Sequence, residues 1–170
     1  MTSITIPSGV SSICYNAFDG TSSLSAINVD TSNPHYKSVA GVLYDKSGKT
    51  LVKCPSAIGA ASIVIPTSVT SIGRSAFQGC TSLTHISIPS KVSSMGTSAF
   101  AACVNLETVE VQPGVTAIGA NAFAGCVELG EFNIPASVTG IGAHPFEGCA
   151  NLRVITVAGA NAKYKPKRRS

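Results

Sequence analysis

Charge is scarce in this chain: Asp, Glu, Lys and Arg make up 12% of its 170 residues, and tryptophan is absent. Globular domains usually carry about 25% charged residues, so Ser, Thr and Asn must form much of the polar surface of this protein. The chain has no apolar run of about 18 residues, the length that a membrane-spanning helix needs. Nucleic-acid binding is also disfavoured, because basic and aromatic residues do not interleave along the body of the chain.

The signatures of enzyme chemistry are missing as well. The three histidines, His35, His85 and His144, have neither metal-ligand spacing nor a cysteine or carboxylate partner in a recognisable order. The sequence contains no glycine-rich phosphate loop, no nucleophile elbow and no paired-carboxylate motif. We therefore predict a non-enzymatic protein with no catalytic, cofactor-binding or metal-binding residues.

What the chain does contain is a repeat of 23 residues. Phenylalanine recurs at this interval, and a cysteine follows each one three residues later, at Phe77, Phe100, Phe123 and Phe146 and at Cys80, Cys103, Cys126 and Cys149. A fixed period in this range is typical of a solenoid, whose repeats bury their apolar side chains by stacking on one another.

Each slot of the repeat predicts a piece of local structure. Residues 83–103 read Leu-x-x-Ile-x-Ile-Pro-x-x-Val-x-x-Met-Gly-x-x-x-Phe-x-x-Cys. The alternation at Ile86 and Ile88 predicts a short strand with one buried face, which the following proline ends because it has no N–H to donate. Gly96 indicates a bend where a side chain would obstruct or φ is positive. The segment before Phe100 is expected to be a short turn, at most one helical turn, that buries the ring.

This sequence pattern resembles the BspA-like leucine-rich repeats of bacterial and protozoan surface proteins, and the resemblance covers essentially the whole chain. It implies an α/β-type repeat solenoid that is mostly β, a curved leucine-rich repeat with a parallel concave sheet and little helix. It also implies an adhesin-like protein-binding module without cofactors, which engages host or matrix proteins at the cell surface or after secretion.

We predict a single solenoid domain over residues 1–162 and a basic, disordered tail over 163–170. The 23-residue period is interrupted by a 36-residue variant unit at about residues 25–60. Two apolar runs in this unit flank Asp45-Lys46-Ser47-Gly48 and predict a hairpin. We interpret the unit as a structural variant of the repeat. If it does bind a partner, the exposed candidates are His35, Tyr36 and Tyr44.

The two ends of the chain suggest missing or covered surfaces. The spacing of Val29, Asn33 and Tyr36 recurs in residues 157–164, so we expect the chain to end just inside a second copy of the variant unit. Met1 opens almost directly on a strand, without the features of a secretion signal. Because uncapped coils expose apolar surface and strand edges, we expect either a piece of a longer protein or ends covered by a partner.

Four of the six cysteines share one repeat slot, so stacking would arrange them in a column with neighbours about 5 Å apart. Such a column is too long for all four to bind one zinc ion, although neighbouring members could form disulfides. We favour buried free thiols. Cys14 stands in the glycine slot and Cys54 in the variant unit, and we place both outside the column.

The candidate protein-binding residues lie between the Leu and Ile slots, on the expected concave face: His85, Ser87, Glu107, Glu110, Glu131, Asn133 and Arg153. Stacking should gather the three glutamates into one acidic patch that attracts a basic partner and weakens with salt. The alternative is a homo-oligomeric scaffold, assembled through uncapped ends and through docking of one molecule's basic tail on another's acidic patch. The tail supplies five of the twelve basic residues, so the rest of the chain carries seven basic and eight acidic residues.

Overall fold

A computed structural model describes residues 2–164 as a stack of seven coils, with strands and turns but no helix in that range. The strands are β1 (Ser3–Ile6), β2 (Ala26–Val29), β3 (Tyr36–Val39), β4 (Val42–Asp45), β5 (Thr50–Lys53), β6 (Ser71–Ile72), β7 (His85–Ile88), β8 (Ser94–Met95), β9 (Thr108–Val111), β10 (Ala117–Ile118), β11 (Glu131–Ile134), β12 (Gly140–Ile141) and β13 (Val154–Val157). The mostly-β solenoid predicted from the repeat is confirmed. The α/β-type description is not supported, because the segments before the phenylalanines are turns.

One side of the stack, here called the long-strand face, carries one extended segment from each coil: β1, β2, residues 62–65, β7, β9, β11 and β13. Its pairs are parallel and in register at the repeat length, so that Ile86 lies beside Val109 and Phe132 beside Ile155. The apolar slots of these segments face the interior and the residues between them face outward. Parallel pairing is as predicted, whereas the concavity of this face stays a prediction.

A second sheet, the short-strand sheet, was not predicted. It contains seven strands in the order β12-β10-β8-β6-β5-β4-β3. Each of its two-residue strands ends at the apolar residue that precedes a repeat glycine. Met95 of β8, for example, pairs with Ile118 of β10. The hairpin predicted around residues 45–48 is confirmed as the antiparallel pair β4–β5. It joins the short-strand sheet through the parallel pairing of β5 with β6.

The repeat glycines are required by close contact between coils. A Cβ atom on Gly119 would lie 2.4 Å from the carbonyl carbon of Gly96, and one on Gly142 would lie 2.3 Å from the amide nitrogen of Ala120. None of these glycines has a positive φ. Of the two explanations that the sequence left open, obstruction by a side chain is therefore the correct one.

A column of phenylalanine rings runs through the core. The rings of Phe77 and Phe100 are 4.8 Å apart and stacked, and the stack continues to Phe123 at 5.3 Å and to Phe146 at 5.7 Å. Buried Ile, Val, Leu and Cys side chains of each coil surround it. Phe18 belongs to a separate, smaller cluster formed by the first two coils, so the ring column is interrupted within the variant unit.

The recurrence predicted at the C-terminal end has a structural counterpart. The side-chain amide of buried Asn33 donates to the carbonyls of Pro7 and Val10, at 2.8 and 3.0 Å. The side-chain amide of Asn161 makes the two equivalent hydrogen bonds at the other end, to the carbonyls of Pro135 and Val138, at 2.9 and 3.0 Å. The proposed start of the tail, Lys163, donates to the Thr139 carbonyl, and residues 165–170 lie outside the described range.

Candidate functional site

The candidate interface residues lie on the last four coils of the long-strand face, and Glu107, Glu110, Glu131, Asn133 and Arg153 are exposed. His85 and Ser87 on β7 are half-buried. Glu110, Glu131 and Asn133 line one cleft between β9 and β11. Glu107 and Arg153 stand just before β9 and β13, outside this cleft. The structure thus brings together two of the three predicted glutamates.

The cleft exists because the sheet is broken at this point. Among the described residues, β7 pairs with β9 and β11 with β13, but no ladder joins β9 to β11. The amides of His85 and Thr108 each donate to the previous coil, at 3.1 and 3.2 Å. The amide of Glu131 occupies the same repeat position and has no such partner on β9. Backbone donors and acceptors are therefore left free at the cleft.

Two residues of the sixth coil explain the break. The amide of Gln112 donates to the Ile88 carbonyl at 3.1 Å, whereas the residue in that slot one coil later is Pro135, which has no N–H. Phe132 fills a strand slot that holds Ile86 and Val109 in the two preceding coils. Its ring packs at a tilt against Phe123 and Phe146, at 5.0 and 4.8 Å, and this bulk opposes closure of the ladder. Both residues were visible in the sequence but were not interpreted as an opening.

The chemistry of the cleft is that of a hydrogen-bond acceptor. It has a volume of about 520 Å³ and is lined by Thr108–Gln112, Glu131–Asn133 and Thr156, with no lysine or arginine among them. Two carboxylates flank it, and an open parallel ladder leaves carbonyl oxygens along an edge. Such a site suits a cationic group with several N–H donors.

The variant-unit candidates lie in three different environments. His35 is exposed. The Tyr36 hydroxyl is half-buried and accepts a hydrogen bond from the Ile13 amide at 3.1 Å. The prediction that Tyr44 is exposed is wrong: the residue is 2% exposed and packs in the main core. Burial raises its pKa to about 12, because the phenolate would lose its hydration.

All six cysteines are free thiols, and those at 80, 103 and 126 are buried in one column. The Cys103 thiol donates to the Phe77 carbonyl of the preceding coil at 3.0 Å, and Cys126 repeats this bond to Phe100 at 3.2 Å. Burial raises the pKa of both thiols, so they stay protonated at neutral pH. The column is a structural element of the core.

Cys54 lies outside the cysteine slot, as predicted, and the structure shows which slot it occupies. Its amide donates to the Ala76 carbonyl at 2.7 Å, the bond that Phe77 makes to Ala99 in the next coil, also at 2.7 Å. Cys54 therefore stands in the phenylalanine slot, where it contacts Cys80 at the head of the cysteine column. Cys54 also precedes Phe77 by one period of 23 residues, but the sequence did not reveal the slot because a cysteine replaces the phenylalanine there.

This arrangement predicts the reactivity of the thiols. At pH 8 a disulfide reagent such as DTNB should label Cys14, the exposed cysteine, at least about a hundredfold faster than Cys103 and Cys126, because these two are buried and stay protonated. Cys80 should also react slowly, because it is buried out of reach of the reagent. Half-buried Cys149 should be intermediate. All six should react once the protein is unfolded without reductant.

The Cys14→Ser variant is the control and should lose the fast phase alone. Fewer than five reactive thiols in the unfolded, unreduced protein would contradict the free-thiol assignment.

Within residues 2–164, no three or more His, Cys, Asp and Glu side chains cluster so that they could hold a metal ion. The same residues contain no helix long and apolar enough to cross a membrane.

Solved structures resemble this chain over most of its length. The pneumococcal vaccine antigen PcpA matches with a TM-score of 0.90 and 28% identity, over 94% of this chain and 40% of PcpA. A leucine rich cell surface protein of Faecalibacterium prausnitzii matches with a TM-score of 0.79 and 30% identity, over 96% of this chain and 49% of that protein. The chain thus spans less than half the length of either one.

A third similar structure, a leucine-rich repeat protein of Bacteroides capillosus, matches with a TM-score of 0.66 and 29% identity over 74% of this chain and 99% of that one. No curated protein matches the chain. The family model described as the BspA type leucine rich repeat region matches six copies, over residues 1–40 and 54–166. The unmatched residues 41–53 hold the β4–β5 hairpin. With its repeat and coil geometry established, this chain belongs to the BspA-type leucine-rich repeat family.

Proposed function

We propose that this chain is a non-enzymatic protein-binding module whose binding surface is the long-strand face from β7 to β13. A basic side chain of the partner enters the cleft between β9 and β11. The observation that carries this proposal is the open ladder flanked by Glu110 and Glu131. Relatives include a leucine rich cell surface protein, which supports an adhesin-like role at the cell surface.

Arginine is the side chain that fits this cleft best. Its guanidinium presents five N–H donors in a planar fork, which matches two carboxylates and free carbonyl oxygens. The free amide of Glu131 remains available for a carbonyl of the partner. Because both glutamates are exposed, each contributes only about 0.2–1 kcal/mol, so the wider outward surface must supply the rest of the affinity.

The test uses N-acetyl-arginine amide as a probe, with N-acetyl-citrulline amide as its neutral isostere. We expect the arginine compound to shift the amide NMR signals of Glu131 and Asn133 in a saturable way, and the citrulline compound to bind at least about fivefold more weakly. Glu110→Gln combined with Glu131→Gln should weaken arginine binding by a similar factor, as should 0.5 M salt.

Glu147→Gln is the matched control, because Glu147 is exposed and lies outside the cleft lining. It should bind the probe as the native protein does. Equal binding of the two probes, or undiminished binding by the double variant, would refute the cleft as a basic-residue site.

Self-association stays a prediction beside this one, favoured by one observation on the last coil. Ile155 fills a slot that is fully buried at Ile86, yet it is 48% exposed, and neighbouring Val154 is exposed as well. The postulated docking of the tail on the acidic patch falls largely on residues outside the described range.

A further inference from the structure

Lys53 is a buried lysine at the point where the phenylalanine column is interrupted. The residue before each phenylalanine in the regular coils is a fully buried alanine, at Ala76, Ala99 and Ala122. The shared hydrogen-bond pattern of Cys54 and Phe77 puts Lys53 in this alanine slot. The second coil therefore replaces Ala-Phe by Lys-Cys, which removes a ring from the column and brings in a cation.

The lysine side chain opens on a cavity of about 340 Å³. Lys53 is only 5% exposed, and its ammonium donates one hydrogen bond, to the Ser75 carbonyl at 2.8 Å. The cavity lies between the turn at residues 18–22, the end of β5 with the following Ser56, and the turn at residues 78–81. Desolvation lowers the pKa of Lys53, and the nearby Cys80 thiol and Asp19 carboxylate act in the opposite direction.

The walls of this cavity carry polar groups that lack partners within the described residues. An ammonium has three donors, and Lys53 uses one. The side chains of Ser22, Gln78 and Thr81 line the cavity and make no hydrogen bond there. The hydroxyls of Thr21 and Ser56 donate to the carbonyls of Phe18 and Thr21, at 2.6 and 3.0 Å, and remain free to accept.

We propose that this cavity, called the Lys53 site, binds a small carboxylate-bearing, hydroxylated molecule of the acidic monosaccharide class. A buried cation without a paired anion is unfavourable, so a ligand carboxylate on Lys53 restores the missing partner. The volume lies at the small end of ligand sites and suits one sugar ring. Hydroxyl groups of the ring meet the serine, threonine and glutamine side chains and the Asp19 carboxylate.

Asp19 also sets the charge of the ligand. A carboxylate accepts hydrogen bonds from sugar hydroxyls but repels a second negative charge. The Lys53 site therefore selects a monoanion with neutral hydroxyls over a doubly charged phosphate ester. The Lys53 site is separate from the cleft between β9 and β11, so the proposed ligand site and the proposed protein-binding function can be tested independently.

The experiment is a titration of the whole chain with glucuronate, followed by ligand-detected NMR and by amide shifts around Gln78. We expect saturable binding in the millimolar range and at least tenfold weaker binding of glucose and of glucose 6-phosphate. Lys53→Met keeps the aliphatic stem, removes the charge and should weaken glucuronate binding at least tenfold. Lys49→Met, at an exposed lysine, is the matched control and should bind as the native protein does.

Thermal unfolding of both variants shows whether each is folded, and Gln78→Ala provides a second test if Lys53→Met is not. This variant should weaken glucuronate binding without changing the fold. Equal affinity for glucose and glucuronate, native affinity in folded Lys53→Met, or no saturable binding up to 50 mM glucuronate would each overturn the proposal.

Discussion

Gly119→Ala is expected to destabilise the solenoid by about 3 kcal/mol or more. The added Cβ would lie 2.4 Å from the carbonyl carbon of Gly96, 2.5 Å from its oxygen and 2.6 Å from the amide nitrogen of Thr97. All three are backbone atoms of the preceding coil, so no side chain can move aside. The coils must separate, and overpacking of this kind costs about 1–3 kcal/mol even where side chains can adjust.

The chain contains its own control for this substitution. A Cβ on Gly130 would meet no atom within 4 Å, and this glycine has no positive φ. Gly130→Ala should therefore change stability by less than about 1 kcal/mol, since alanine loses less chain entropy on folding. Urea unfolding followed by circular dichroism measures both variants. Comparable stabilities for Gly119→Ala and Gly130→Ala would mean that the coils are not packed as closely as described.

The features that sequence reasoning predicted are those fixed by repetition. One glycine or phenylalanine means little, but Phe77, Phe100 and Phe123 at one interval force their rings into the same place on successive coils. The same logic applies to Asn33 and Asn161, whose common spacing predicted a second copy of the variant unit and is matched by common hydrogen bonds. Repetition specifies the interior because each coil must fit its neighbour there.

The features that it missed depend on single departures from the repeat. Four strands of the short-strand sheet, β6, β8, β10 and β12, are two residues long, too short for any periodic pattern to reveal. The cleft depends on Phe132, which replaces the smaller apolar residue of its strand slot, and on Pro135, a residue of the repeat whose slot holds Gln112 one coil earlier. The burial of Tyr44 follows from the hairpin that lengthens the second coil and has no counterpart in the regular repeat. Lys53 stands one period of 23 residues before Ala76, and its burial was missed because a lysine replaces the alanine of that slot.

Both proposed sites lie where the regular architecture fails. The cleft marks a missing ladder on the long-strand face, and the Lys53 site marks a missing ring in the core. A regular solenoid satisfies its own backbone groups and side chains, so it leaves few hydrogen-bonding groups free for a ligand. Departures from the repeat release such groups, and we therefore regard them as the positions at which a member of this family acquires its specificity.

The open ladder has the largest expected effect on an observable quantity, the rate of amide hydrogen exchange. The amides at one repeat position, His85 and Thr108, are hydrogen-bonded to the previous coil, and such amides exchange only when the structure opens. The amide of Glu131 has the same position but faces the cleft. It should exchange at least about a hundredfold faster than the other two, although all three lie at the starts of equivalent strands.

Residue-resolved hydrogen exchange by NMR at pH 7 is thus the most direct measurement, since the proposed binding function depends on the cleft being open. We predict a fast amide at Glu131 between protected amides at Thr108 and Arg153, which donate to the carbonyls of Thr84 and Gly130 on the preceding coils at 3.2 and 3.0 Å. Protection of Glu131 equal to that of Thr108 would show a closed ladder and would contradict the cleft and the function built on it.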